Sequence, residues 1–146
     1  MKPLHLLLAI AAASSTCAFA VAPAEAATLT LKLNGVRSDK GAIMAGLMKA
    51  DAAGGAPTRV RGVSEPARPG HMILSFDGLA PGDYAVMLFH DENGNGEMDE
   101  NAFGIPVEGY GFSNEAKASF GPPKFGEMKV TVGVDRRVET SGTMSY

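Results

Sequence analysis

The sequence predicts an all-β domain: an antiparallel β-sandwich of about seven strands carrying one long irregular lid loop. Three observations lead there. Apolar residues alternate with polar ones in short runs, and no long stretch of the mature chain repeats at helical spacing. Glycine and proline punctuate the chain densely, 18 and 9 among 146 residues, so the runs between turns have strand length. Most of those runs are apolar on one face, and a single sheet would leave that face in water where two sheets bury it.

The N-terminus is set aside first. Lys2, the apolar run Leu4–Ala13 and the small residues Ala18-Phe19-Ala20 and Ala24-Glu25-Ala26 make the three parts of a secretory signal peptide over residues 1–26. The run is shorter than the roughly 20 apolar residues a membrane span needs, so no span is expected in the mature chain. Cys17, the only cysteine, falls inside this leader, and a lipid anchor on it is disfavoured because Ser14-Ser15-Thr16 lacks the leucine and small residue such a cysteine follows. The expected product is a periplasmic or secreted single domain, residues 27–146, without a disulfide.

The first strand covers Thr28–Asn34, with Leu29, Leu31 and Leu33 on one face, and ends at Asn34-Gly35. Gly41–Met48 follows, with Ile43, Ala45 and Leu47 on one face and Met44 and Met48 on the other, and the polar turn 37–40 between the two reads as a hairpin. Asp51–Pro69 is rich in glycine, alanine and proline and is expected to be mostly loop, with a short edge strand over Val60–Val63. Its Arg59, Arg61 and Arg68 are expected to protect that edge and aid solubility. Met72–Phe76 resumes strand character. After the turn formers of Asp77–Asp83 comes Tyr84–Phe89, apolar at every position and so a central strand buried on both faces. Near the end, Met128, Val130, Val132 and Val134 alternate with polar residues, and Val138–Tyr146 is a weaker last strand.

The central strand delivers His90-Asp91-Glu92-Asn93-Gly94-Asn95-Gly96-Glu97-Met98-Asp99, where oxygen side chains recur at the spacing of a calcium loop. The ligands would be Asp91, Asn93, Asn95, the Glu97 carbonyl and Asp99. The twelfth position of a helix-flanked loop falls on Ala102, and the loop follows a strand, so it resembles the shorter calcium loops set between strands in extracellular proteins. Hard oxygen donors favour calcium over a transition metal. With two amides in place of carboxylates, the affinity should lie near the extracellular range, about 10⁻⁴ to 10⁻³ M. The competing reading is that the two Asn-Gly pairs simply make turns. Against it stands acidic crowding: from Pro69 to Ala116 there is no Lys or Arg, while the acids of that stretch cluster around the loop. His90 with the distant His71 is only a weak zinc signal. Removing the leader takes away one acid and one base and leaves the net charge at −3, which gives no basic footprint for nucleic acid.

After the loop, residues 100–126 show no strand pattern but alternate glycine with Phe103, Tyr110, Phe112, Phe120 and Phe125. These rings are expected to pin an irregular strap over the sandwich. Glu108 is a candidate extra ligand reaching the ion from that strap, and His90, Tyr110 and Asn114 are further candidates for ligand or lid contacts. With GIPVEGYGFSN and FGPPKF following the acidic loop, and Leu79–Val86 forming the turn and strand before it, the chain resembles the exported bacterial family catalogued as domain of unknown function 2141. The resemblance implies an exported β-rich domain and carries no catalytic residues. The Pro-Gly turn into a tyrosine strand is similar to prealbumin-like sandwiches, with an immunoglobulin-like arrangement as the alternative.

The mature chain has no cysteine nucleophile and no G-x-S-x-G elbow. The expected role is therefore a non-enzymatic, calcium-binding binding or structural module of the cell envelope, with an envelope protein or glycan as partner. The alternatives are a small-ligand or glycan binder using the aromatic lid and, further off, a metal-assisted hydrolase built on His90, Asp91 and Glu108.

Overall fold

A computed structural model describes residues 26–134 and 137–146, so the expected leader lies, except for Ala26, outside the described residues. The strands are β1 (Ala27–Val36), β2 (Ala42–Lys49), β3 (Thr58–Pro66), β4 (Gly70–Leu79), β5 (Gly82–Asp91), β6 (Tyr110–Phe112), β7 (Val130–Val132) and β8 (Arg137–Thr143). A 3₁₀ turn at Ser113–Glu115 and a single helical turn, α1 (Phe125–Met128), complete the secondary structure. A three-stranded sheet runs β4-β1-β8 and a second sheet runs β3-β2-β5-β6, with β7 also paired to β5. All pairs are antiparallel except β1 with β8, which run parallel. The architecture is a sandwich of mixed pairing.

The core is the contact between the two sheets. Leu29, Leu31 and Leu33 of β1, with Leu74 and Phe76 of β4, face Ile43 and Leu47 of β2 and Val86 and Leu88 of β5, and all belong to one buried cluster. The alternation in the sequence is what orients these side chains inward. Burying one such chain fully stabilises the fold by about 1.5–3 kcal/mol.

The hairpin expected between the first two strands does not form. β1 pairs with β4 and β8, whereas β2 pairs with β3 and β5, so residues 37–41 carry the chain from one sheet to the other. The physical reason is that each strand has one apolar face; in opposite sheets those faces meet across the core, and side by side they would both look the same way. Gly41 makes the crossing possible. Its φ is +61°, and a Cβ there would come within 1.8 Å of the Asp91 carbonyl oxygen.

The edge strand expected around Val60–Val63 is present but longer, spanning Thr58–Pro66. It is exposed along almost its whole length and held by its ladder to β2, with Val63 alone touching the core, so it shows no apolar alternation. The strand expected over Met128–Val134 contracts to Val130–Val132. Met128 closes α1 and is buried, while Val134 is 86 % exposed.

β5 is central, as its continuous apolar run predicts. β2 lines one edge; on the other, β7 pairs with Gly82–Tyr84 and β6 with Met87–Phe89. Between these two short strands the Ser113 hydroxyl accepts the Val86 N–H at 2.9 Å and donates to the Met128 carbonyl at 2.6 Å. Ser113 is fully buried and replaces the missing strand at that point.

Candidate functional site

The acidic loop leaves the end of β5 and closes on itself. Asp91, buried at the strand end, accepts N–H bonds through Oδ1 from Gly94 at 2.7 Å and Asn95 at 3.1 Å, and through Oδ2 from Gly96 at 2.8 Å. Gly94 and Gly96 have φ of +74° and +79°, a conformation that L side chains rarely adopt, so the two glycines let the backbone curl around this carboxylate. The Asn93 and Asn95 side-chain amides both donate to Asp99, the latter at 3.0 Å. Their own oxygens accept the N–H groups two residues on, at 3.0 Å from Asn95 and 2.9 Å from Glu97.

Glu108 joins this loop from the far side of the strap. Its Oε1 accepts the Glu92 N–H at 3.0 Å and its Oε2 the Asp99 N–H at 3.2 Å, tying the beginning of the loop to its end. The residue is buried. Neither Asp91 nor Glu108 takes part in a salt bridge among the described residues. Both carboxylates are satisfied by backbone donors alone.

The donor chemistry fits a hard cation. Asp91, Asn93, Asn95 and Asp99 turn their side chains into one hydrogen-bonded cluster, with only oxygen and amide groups in it. Among the described residues, no three His, Cys, Asp or Glu side chains gather closely enough to hold a metal on their own. Any ion here therefore relies on the two asparagines and on backbone carbonyls, and no histidine takes part.

His90 is placed differently from the expectation of a ligand. It points into the sandwich and is fully buried, with Nε2 2.8 Å from the Lys40 carbonyl and Nδ1 2.8 Å from the Tyr146 hydroxyl. A carbonyl only accepts, so Nε2 carries the hydrogen and donates, and in the neutral ring Nδ1 then accepts from Tyr146. Both ring nitrogens are thus used inside the fold. Around Tyr146 lies a second network: the Arg37 N–H donates to its hydroxyl at 3.1 Å, and the Arg37 guanidinium sits 4.2 Å from its ring centre while forking onto Glu92. The bonds from Arg37 and then from Ser38 hold the Glu92 carboxyl down at about 2, against an ordinary 4.5. Burial pushes the Tyr146 hydroxyl up.

Asn114 lies away from the acidic loop's network. Its amide donates to the Glu127 carbonyl and its N–H to the Thr140 hydroxyl, both at 3.0 Å, and its φ of 59° turns the chain between β6 and α1. Tyr110 sits in β6 opposite Phe89, its ring tilted against Phe112 at 5.8 Å. It is half-buried and contributes to a wall, not to the loop.

That wall belongs to a cleft of about 680 Å³ on the outward face of the larger sheet. Met44 and Met48 of β2, Met87 and Phe89 of β5 and Tyr110 and Phe112 of β6 make its floor, and strap residues around Met98, Ile105 and Phe120 overhang it. The expectation that the five strap rings all pin the lid down is corrected here. Phe112 is buried and Phe125 half-buried, but Phe103 is 86 % exposed and Phe120 stands wholly in solvent. The strap is anchored by Phe112, Ser113 and Glu108 instead, and it holds an opening rather than sealing the sheet. The methionine floor was legible only as a second face of β2; that it forms a cavity depends on the overhang.

Comparison with protein families finds that the model described as an uncharacterized protein conserved in bacteria, domain of unknown function 2141, matches residues 31–140. No curated protein and no solved structure matches the chain.

Proposed function

The chain belongs to this family of bacterial proteins, and we propose that it is an exported, calcium-binding, non-enzymatic module of the cell envelope whose binding face is the cleft under the strap. The observation that carries the reading is Glu108. One buried carboxylate from the strap clamps both ends of an acidic loop, so whatever stabilises the loop also stabilises the overhang of the cleft. A cation among Asp91, Asn93, Asn95, Asp99 and the Glu97 carbonyl would take the place of the amide hydrogens between the asparagines and Asp99, and would offset the charge of two buried carboxylates. The ion's task is mechanical: it fixes a loop, and the loop fixes the lid.

The non-enzymatic part of the reading is supported by His90. With both nitrogens bonded inside the sandwich, it offers no free base to a substrate. Export rests on the leader pattern of residues 1–26. Small-ligand binding, rather than glycan binding, is favoured for the cleft because Arg59, Glu100 and Tyr110 are the polar side chains on a wall otherwise apolar, and sugar hydroxyls would be left unpaired there. Thermal melts of the mature chain in EDTA and in millimolar calcium test the central claim. Coincident melts would refute it.

A further inference from the structure

Gly46 of β2 and Gly62 of β3 face each other across the ladder. Neither has a positive φ, so their backbone would accept any residue. What they supply is room. A Cβ at Gly62 would lie 2.4 Å from Arg59 Nη2, and one at Gly46 would lie 3.3 Å from its Nε. The Arg59 side chain, exposed like most of its strand, is folded back over the bare pair, which brings it to the lining of the cleft. Among the described residues this guanidinium joins no salt bridge.

The surroundings of that cation are apolar and adaptable. The register sets Met87 opposite Gly46, with Met44 and Met48 two residues to either side on the same face, so three thioether chains border the seat. Methionine reshapes readily around an irregular apolar guest. At the overhang, Phe120 holds a φ of 57° with its ring in solvent, although bulky residues avoid both conditions. A volume of about 680 Å³ lies within the range of small-molecule sites, roughly 300–1,000 Å³.

We infer that the cleft takes a long-chain carboxylate, its chain lying along the methionine and aromatic floor and its head forked against Arg59, with Phe120 closing over it. The planar guanidinium fork matches a carboxylate with two parallel hydrogen bonds. This names the ligand class for the binding face proposed above and rests on that reading of the cleft, though not on the ion.

The test is isothermal titration of the mature chain with palmitate and with hexadecanol, in calcium and in EDTA, for wild type, Arg59→Met and Gly62→Val. Palmitate is expected to bind wild type at least ten-fold more tightly than hexadecanol. Arg59→Met keeps the apolar bulk and should bring palmitate down to the level of the alcohol. Gly62→Val fills the seat and should do the same, with melts and circular dichroism reporting whether its fold is intact. Equal affinity of wild type for the two ligands, binding of neither, or an Arg59→Met variant that holds palmitate undiminished would each overturn the inference. Palmitate binding that depends on Arg59 while calcium leaves the melt unmoved would sink the ion and spare the ligand; the reverse pattern would do the opposite.

Discussion

The Nδ1 of fully buried His90 accepts a hydrogen bond from the Tyr146 hydroxyl at 2.8 Å, across 56 residues of sequence. The contact joins the inner face of β5 to the segment after β8, and Gly109 is bare where it passes the Tyr146 ring, since a Cβ there would come within 2.2 Å of a ring carbon. Tyr146→Phe removes the only donor to Nδ1 seen among the described residues and leaves a buried acceptor unpaired, which costs about 1–3 kcal/mol. Urea melts should show a lower midpoint with an unchanged slope; an unchanged midpoint would mean that water enters and replaces the hydroxyl.

Calcium should raise the melting temperature of the wild-type chain. With a dissociation constant of about 10⁻⁴ to 10⁻³ M, 10 mM ion stabilises the native state by roughly 1.4–2.7 kcal/mol, a shift on the order of 5–10 °C for a domain of this size. Glu108→Gln presents an amide N–H₂ to one of the two backbone donors now satisfied by carboxylate oxygens, at Glu92 or Asp99. It should lower the melt in EDTA and also shrink the calcium-dependent gain. Asp91→Asn should abolish the gain. A gain that survives both substitutions would place the ion elsewhere.

Acid should weaken the fold through Glu92. Its carboxyl titrates at about 2 in the folded chain against an ordinary 4.5, because Arg37 and Ser38 bond the charged form. A depressed folded value means that the stabilisation is complete above about pH 4.5 and drains away as pH falls towards 2. Glu92→Gln should therefore be less stable than wild type at pH 7, and the gap between the two should close across that window. Parallel pH profiles of the two proteins would contradict the ion pair. Asp83, held down by Thr131 and Lys129, and Glu139, held down by Lys32, add slopes of the same sign that persist in the variant.

Ser113→Ala should cost about 1–3 kcal/mol, since the Val86 N–H then has no acceptor in the gap between β6 and β7. Amide exchange read at Val86 should accelerate more than exchange at Leu31 or Leu74 in the opposite sheet. Uniform acceleration across both sheets would indicate a global loss instead of a local opening.

What could be read in the sequence alone was whatever depends on neighbours along the chain. Alternation placed Leu29, Leu31 and Leu33 on a buried face, the unbroken apolar run of Tyr84–Phe89 marked a central strand, and the spacing from Asp91 to Asp99 marked a loop whose polar side chains close on one another. Even Glu108 could be named as a visitor to that loop, because the strap that carries it follows the loop directly.

Tertiary structure alone decided which strands pair and what the outer face encloses. A short turn such as 37–41 is compatible with a hairpin or with a crossing between sheets, and the choice falls to the shared core, to which β1 and β2 contribute from opposite sides. β3 shows no pattern because its stability comes from ladder hydrogen bonds, which every sequence can make. The placements of His90, Ser113 and Arg59 were equally hidden: each depends on a partner 15 to 56 residues away or on the absence of side chains at Gly46 and Gly62. Local periodicity fixes the direction of a side chain, but the identity of its neighbour is set only when two distant segments compete for the same buried space.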